Sequence, residues 1–228
     1  MLIKCFGAAP QGIDAVIVTI EVHAVPGFEF TLVGLPDSAV KESHERIVAA
    51  LIVNGFNKPR HTLTINMAPA DIKKEGAAYD LPLAIGMLAA EEEVKTALLE
   101  HYMIMGELSL DGTLQPIQGV LPMALAARKA GFKGIILPEQ NAREAAVVTG
   151  LEVYGLKNLQ EVVRLLNQIQ VFEPTHVDTM AEFATHAFTS DLDFSDVRGQ
   201  ENVRRAMEVA AAGGHNMLKF CSYFTTAV

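Results

Sequence analysis

The chain has 228 residues, half of them hydrophobic, and 18 basic against 27 acidic residues give it a formal net charge of −9. This composition excludes wholesale disorder and fibrous architectures, and the length predicts one large domain, or one domain with part of another. Because an acidic surface repels phosphate backbones, nucleic-acid binding by the chain alone is disfavoured unless assembly gathers its few basic groups.

The longest apolar stretch, residues 81–90, is closed by Asp80 and Glu91. A bilayer requires about twice that length, so no membrane partner is expected. The two cysteines, Cys5 and Cys221, form no spaced framework, which favours a reducing compartment and a cytoplasmic location.

The first third of the chain predicts three strands, a helix and a fourth strand. Alternating apolar and β-branched residues mark strands at 2–6, 15–22 and 28–33. A helical period then begins at Asp37 and stops at Gly55. Residues 62–67 alternate again, as a fourth strand does.

Helices and strands alternate over the next hundred residues. Asp80 is placed to cap a helix that continues to residue 90, with Pro82 in its first turn. The remaining predicted strands are 102–108, 134–137 and 152–154, and the remaining predicted helices are 119–130, 139–148 and 158–169. The order βββαβαβαβαβα predicts one mixed α/β (α+β) domain over residues 1–170.

Acidic residues dominate the stretch that follows this domain. Between residues 171 and 200, Arg198 is the single basic residue, and the acidic ones are Glu173, Asp178, Glu182, Asp191, Asp193 and Asp196. No apolar period is sustained there, so a solvated linker is predicted over residues 171–190.

Short motifs in the predicted domain do not complete a phosphate or metal site. Residues 150–155 (GLEVYG) have the glycine spacing of a phosphate loop but not its Lys-Ser/Thr, and residues 44–48 (HERIV) lack the second histidine of a zincin. No metal site is predicted. The basic clusters at Lys73-Lys74 and residues 58–61 (KPRH) are able to meet phosphate or an acidic neighbour, but solvated loops are the simpler expectation.

Two segments are similar to ATP-dependent Lon-type protease domains. Residues 74–80 (KEGAAYD), followed by an apolar helix, resemble the Lon segment that carries the catalytic serine. Residues 111–121 (DGTLQPIQGVL), with the stretches 126–131 and 135–141 after them, resemble the segment with the catalytic lysine. The resemblance implies a Lon protease-like domain with the ribosomal protein S5 domain 2-like fold.

The two positions that match the catalytic residues of Lon hold other residues in this sequence. The position that matches the serine is Ala78, which has no hydroxyl, and the position that matches the lysine is Leu121, which cannot accept a proton. Three hydroxyls and one carboxyl lie nearby in sequence, on Tyr79, Ser109, Thr113 and Asp80. None of them is accompanied by a residue that is recognisable as its base. No catalytic residue is therefore predicted, and a peptidase or an ATPase with an unrecognised site is the alternative.

A longer resemblance covers residues 1 to about 218. The segments that carry it are 31–43 (TLVGLPDSAVKES), 66–71 (NMAPAD), 80–85 (DLPLAI), 196–200 (DVRGQ) and 210–216 (AAAGGHN). They are similar to magnesium-chelatase-like AAA+ proteins of the ComM/YifB type, in which a Lon-like domain precedes an AAA+ ATPase module. ComM-type members are implicated in hexameric branch migration of DNA during natural transformation. The resemblance implies self-association in a full-length hexamer, and DNA contact only through the complete AAA+ assembly.

By the same resemblance, residues 191–228 are the start of the AAA+ module. Val197, Gly199 and Gln200 match the segment that lies near adenine in the family. The family then enters its Walker A loop, whereas residues 219–228 (KFCSYFTTAV) contain no glycine or proline to shape that turn and no P-loop lysine. The expectation is a truncated module that takes neither ATP nor Mg²⁺, the cofactors of full-length relatives, and a non-catalytic chain.

Overall fold

The computed structural model describes residues 1–178 and 199–217. The strands in this part are β1 (Leu2–Gln11), β2 (Asp14–Pro26), β3 (Phe30–Val33), β4 (His61–Ala68), β5 (Tyr102–Ile104), β6 (Glu107–Leu108), β7 (Leu114–Gln115), β8 (Gly134–Pro138) and β9 (Glu152–Leu156). The α-helices are α1 (Ser38–Val53), α2 (Asp80–Ala90), α3 (Val120–Lys129), α4 (Glu139–Ala146), α5 (Leu159–Leu166) and α6 (Glu201–Gly213). Short 3-10 helices lie at Ala77–Tyr79 and Thr96–Leu98. None of the helices described here has the length and apolar character needed to cross a membrane.

A seven-stranded mixed sheet organises residues 1–178, in the order β3-β4-β2-β1-β5-β8-β9. The hairpin of β1 and β2 pairs in register from Leu2 with His23 to Gln11 with Asp14. The pairing of β2 with β4 is also antiparallel, and the other four pairings are parallel. The sequence prediction of a mixed α/β domain is therefore confirmed.

Helices cover the two faces of this sheet. On one face, α2 lies so close to the hairpin that a Cβ on Gly86 would stand 2.8 Å from Val22 and 3.6 Å from the Cys5 sulfur. Burial raises the pKa of the Cys5 thiol to about 12, so this cysteine acts as a small core residue. On the other face, α3 begins against Pro10, and α4 packs on β9.

The predicted strand 102–108 is divided in the structure. It forms β5 in the large sheet and β6 in a separate two-stranded sheet with β7, and the division falls at Met105 and Gly106. The Gly106 N–H donates to the Ala78 carbonyl, and the Gly106 carbonyl accepts from Leu81. Because Gly106 bonds to residues 78 and 81, the residues after β5 leave the large sheet at this point. The partners are distant in sequence, so the local alternation of residues 102–108 does not predict the break.

One edge of the large sheet, β9, is covered by a following segment of the chain, and the other edge, β3, has no further strand among the described residues. Residues 171–178 run beside β9, where the Thr175 N–H donates to the Val153 carbonyl at 2.7 Å and Phe172 packs against the core. Among the described residues, no strand lies outside β3. The chain thus covers one of its own edges, which is a common protection against edge-to-edge pairing.

The chain divides into two compact units, Met1–Asp178 and Thr179–Val228. In the described part of the second unit, α6 starts after Gln200 and ends at Gly214, where the His215 N–H donates to the Ala210 carbonyl at 2.8 Å. The assignment of a domain, a linker and a second module to residues 1–170, 171–190 and 191–228 remains a prediction.

Candidate functional site

The position that matches the Lon serine lines an open cavity of about 560 Å³. Ala78 lies in the 3-10 helix that precedes α2, and its side chain ends in a methyl group at the cavity wall. The other lining residues are Ala8, Pro10, Asp37, Glu75, Gly76, Ala77, Tyr79, Met105, Glu107, Pro116, Ile117, Gln118 and Met123. We call this space the Ala78 cavity.

Leu121, which matches the Lon lysine, is not part of that lining. It lies in the first turn of α3, its backbone N–H donates to Glu144 Oε1 at 3.0 Å, and it is 38% exposed. The structure therefore places Ala78 in the cavity and Leu121 outside the lining. Neither side chain has an atom that donates or accepts a proton.

Asp37 fixes one lip of the Ala78 cavity. Its Oδ1 accepts from the Val40 N–H at 2.8 Å and so caps the N-terminus of α1, while its Oδ2 accepts from the Gly76 N–H at 3.1 Å. One carboxylate thereby connects a helix start to the segment that carries Ala78. The sequence Asp-Ser-Ala-Val at the start of a helical period contained this signal, because aspartate is a preferred N-cap.

Among the described lining residues, only Tyr79 has a hydroxyl, and this hydroxyl forms a structural hydrogen bond. Tyr79 is 1% exposed, and its hydroxyl donates to the Ala8 carbonyl at 3.2 Å. Burial, followed by the negative charge of Asp37, raises the pKa of Tyr79 above its ordinary value. A neutral phenol that already donates its proton is not an activated nucleophile.

Asp80 does not cap α2, contrary to the sequence prediction. Tyr79 is the N-cap residue, and the Asp80 side chain turns inward and is fully buried. Asp80 Oδ2 accepts from Arg46 Nε, and Asp80 Oδ1 accepts from a terminal nitrogen of the same guanidinium, each at 3.0 Å. Asp80 Oδ2 also accepts from the Leu108 N–H at 3.3 Å. The side-chain hydrogen bond to Asp80 raises the pKa of Arg46. The buried pair ties α1, α2 and β6 together behind the cavity.

A buried asparagine holds the opposite wall. Asn141, in α4, donates from Nδ2 to the Ile117 carbonyl and accepts at Oδ1 from the Ile117 N–H, both at 2.9 Å. The backbone of residues 116–118 is thus fixed against α4 although it belongs to neither a helix nor a strand. Nothing in the local sequence indicates this pairing, because its partners are 24 residues apart.

The two neighbouring lysines have opposite environments. Lys73 is exposed and pairs with Glu75 at 2.7 Å, as the predicted solvated loop implies. Lys74 is fully buried and its Nζ donates to the Pro69 carbonyl, so for this residue the prediction is wrong. Its backbone bridges to Pro36, which directs the side chain into the protein, and burial lowers the pKa of Lys74.

The Ala78 cavity is suited to binding rather than to acyl transfer. Its charged lining groups are the carboxylates of Asp37, Glu75 and Glu107, beside the Gln118 amide and apolar side chains. Among the described residues that line it, there is no serine, threonine, cysteine, lysine or histidine. Ser109 and Thr113 are outside it, and across the described residues no group of histidine, cysteine and acidic side chains is arranged to hold a metal ion.

The segment expected to lie near adenine is described only in part. Val197 lies outside the described residues, whereas Gly199 and Gln200 precede α6 with positive φ angles of 71° and 53°. Residues 199–217 contain no lysine, serine or threonine. This described part therefore does not fit the phosphates of ATP or its Mg²⁺, which require such side chains.

The sequence matches the family described as subunit ChlI of Mg-chelatase over residues 20–141, and a second magnesium chelatase subunit ChlI family over residues 193–222. It is 40% identical to the competence protein ComM of Haemophilus influenzae over 93% of this chain, and 40% identical to the uncharacterized protein YifB of Escherichia coli over 92%. It is also 31% identical to Lon protease 2 of Bacillus subtilis over 60% of this chain and 24% of that protein. The match covers 42% of the ComM sequence and 40% of the YifB sequence, so the chain spans about two fifths of these relatives.

Proposed function

Because the chain belongs to the ComM/YifB-type magnesium-chelatase-like family, we propose that it is the non-catalytic, Lon-like N-terminal part of an AAA+ protein. In this proposal, residues 1–170 form a Lon-like domain with the ribosomal protein S5 domain 2-like fold. Residues 171–190 are an acidic linker, of which residues 171–178 run along the edge of β9, and residues 191–228 begin the AAA+ module. The similarity to a Lon protease supports the fold assignment.

The observation that carries the non-catalytic role is the chemistry of the Ala78 cavity. A Lon-type reaction requires a hydroxyl that attacks the peptide carbonyl and an amine that takes its proton. The Ala78 methyl group lines the cavity at the position that the resemblance aligns with that hydroxyl, and no described lining residue carries an amine. Tyr79 supplies the one hydroxyl in the lining, and that hydroxyl donates to the Ala8 carbonyl.

The proposed role is that of a rigid module in an assembly that processes DNA. The name of the Haemophilus relative, a competence protein, supports a role in natural transformation. In the proposal, full-length members form hexamers in the cytoplasm and their AAA+ modules use ATP and Mg²⁺ to drive branch migration. The buried Arg46–Asp80 pair and the Asn141 bonds support the scaffold role, because they hold the cavity walls without leaving reactive groups.

A peptidase assay tests the non-catalytic assignment. The 228-residue chain is expected to leave casein and a fluorogenic peptide uncleaved, with a Lon-type protease as the positive control. The double substitution Ala78→Ser and Leu121→Lys is expected to stay inefficient, because the new lysine would still have to be desolvated and brought within hydrogen-bond reach. Cleavage by the unmodified chain that disappears on Ser109→Ala or Thr113→Ala would establish the peptidase alternative instead.

A further inference from the structure

A second cavity, of about 400 Å³, lies between the turn after β2 and the loop that leads into β4. Its lining residues are Phe28, Asn57, Lys58, Pro59 and Arg60. None of these residues belongs to the Ala78 cavity. We call this space the Phe28 cavity.

Phe28 is 88% exposed, and the backbone of the next residue, Glu29, is held by two hydrogen bonds. The Glu29 N–H donates to Thr62 Oγ1 at 3.1 Å, and the Glu29 carbonyl accepts from the Leu63 N–H at 2.8 Å. Gly27 has a φ of +145°, and a Cβ there would stand 2.2 Å from Thr62 Oγ1, so glycine permits this tight approach. The turn therefore holds the backbone on the C-terminal side of Phe28 and leaves the Phe28 ring exposed to solvent.

Two cations without acidic partners lie beside this ring. Lys58 and Arg60 flank Pro59, both are exposed, and within the described residues neither side chain forms an ion pair. The Arg60 and His61 backbone N–H groups both donate to Glu91 Oε1, at 2.9 and 3.2 Å. That carboxylate anchors the loop through its backbone and leaves the Arg60 guanidinium available. Lys41, Lys95 and Lys129 are also exposed without an ion pair among the described residues, so the feature particular to this site is the exposed Phe28 ring beside two such cations.

We propose that the Phe28 cavity binds single-stranded nucleic acid, with a base stacked on Phe28 and neighbouring phosphates on Lys58 and Arg60. An exposed aromatic face beside cations is the combination that recognises unpaired strands, because every base has a face to stack and each nucleotide carries a phosphate. An acidic peptide would use the two cations but would leave the Phe28 face without a matching group. A duplex would hide its base faces.

The net charge of −9 does not prevent this contact, but it limits the affinity. Two cations at one site meet two phosphates, so binding is weak in isolation and gains from repetition in an assembly. The proposal departs from two expectations of the sequence: that residues 58–61 are a solvated loop, and that DNA is contacted only through the complete AAA+ assembly. The inference does not depend on the proposed function, since it uses neither the Ala78 cavity nor the AAA+ module.

Fluorescence anisotropy with the 228-residue chain and a labelled oligothymidylate of about 12 nucleotides tests the proposal. We expect saturable binding at about 50 mM salt, with a slope of log affinity against log salt of about −1.4, the value for two phosphates of a single strand. Lys58→Ala or Arg60→Ala should halve that slope to about −0.7. Lys129→Ala, which removes an exposed lysine on α3, is the charge-matched control and should change neither affinity nor slope.

Phe28 is tested separately from charge. Phe28→Leu should weaken binding about tenfold with the salt slope unchanged, and Phe28→Tyr should restore it, because stacking requires an aromatic face. Circular dichroism confirms that each variant is folded. No saturation at low salt, unchanged binding by Phe28→Leu, or equal competition by a polyglutamate peptide and by the oligonucleotide would each overturn the proposal. The last result would assign the cavity to acidic peptides.

Discussion

Lys74 and Asp80 are the charged residues that the described part of the chain buries, and they are satisfied in different ways. Asp80 receives a charged partner, Arg46, and a backbone N–H, whereas Lys74 donates to the carbonyl of Pro69. A buried charge is tolerated only when its hydrogen bonds are made. Replacing either partner should therefore have a larger effect than replacing a surface ion pair.

Arg46→Met should lower the free energy of unfolding by about 3–5 kcal/mol, because it leaves the buried Asp80 carboxylate without its partner. Urea denaturation measures this change. Arg128→Met is the control, since Arg128 is exposed and its one partner among the described residues is the Thr149 carbonyl, and it should cost under about 1 kcal/mol. Adding Asp80→Leu to Arg46→Met should recover part of the loss, because the unpaired charge is then removed. An Arg46→Met change as small as that of the control would contradict the assigned role of the pair.

Three of the four tyrosines should resist ionisation while the protein is folded. Burial raises the pKa of Tyr79 and Tyr154 above the ordinary value, and burial together with the Glu152 hydrogen bond raises the pKa of Tyr102 to about 12. Because these pKa values are higher in the folded state, their contribution to stability is present below about pH 10 and is lost as the pH rises toward 12.

Ultraviolet absorbance of the phenolate checks this expectation. At about pH 11 the folded chain should show no more than one ionised tyrosine, whereas the chain unfolded in guanidinium should ionise nearly all four. Glu152→Gln removes one cause of the shift and should lower the pKa of Tyr102. Ordinary titration of three or four tyrosines in a folded sample would refute the described environments.

At the scale of elements, α1 and the Ala78 cavity depend on the same carboxylate. Asp37→Ala should lower the free energy of unfolding by about 1 kcal/mol, because the N-cap of α1 is lost. Asp37→Asn retains a good N-cap but has one acceptor oxygen, so it should preserve the helix start and lose the bond from Gly76. The Gly76 amide should then exchange faster with solvent in both variants, while stability falls mainly in Asp37→Ala. If the Gly76 amide of Asp37→Asn exchanged no faster than in the unmodified chain, the Asp37 carboxylate would not be what holds Gly76 at the cavity.

The order of the elements was predictable because most of them bury a face of their own. Alternation located β1 to β4, and the helical period located α1. Neither β7 nor the break between β5 and β6 was predictable, because β6 and β7 are two residues each and the hydrogen bonds at the break join distant segments. Within the candidate site, Ala78 was identified by resemblance. The bond of Asp37 to Gly76 and the role of Asn141 were not, because their partners are 39 and 24 residues away, whereas the N-cap bond of Asp37 is local.

At the scale of the whole molecule, the structure separates two surfaces with different chemistry. The Ala78 cavity is acidic and is lined by residues just before α2 and at the start of β6, whereas the Phe28 cavity lies by the turn that joins β2 to β3 and presents two cations. On an acidic protein, a basic site concentrates the local attraction for anions. The two cavities can therefore be altered independently, and variants of one serve as controls for the other.

The compact unit should withstand proteolysis through residue 178, beyond the predicted domain end at residue 170. The Thr175 N–H bond to Val153 and the packing of Phe172 hold residues 171–178 on the edge of β9. Limited digestion with chymotrypsin, followed by mass spectrometry, should leave the bond after Phe172 intact. Thr175→Pro removes the N–H donor and should expose that bond, whereas Thr175→Ala keeps the donor and should remain protected. Equal cutting throughout the first 160 residues would refute the unit itself, and identical digestion of the two variants would show that the Thr175 bond does not hold the segment.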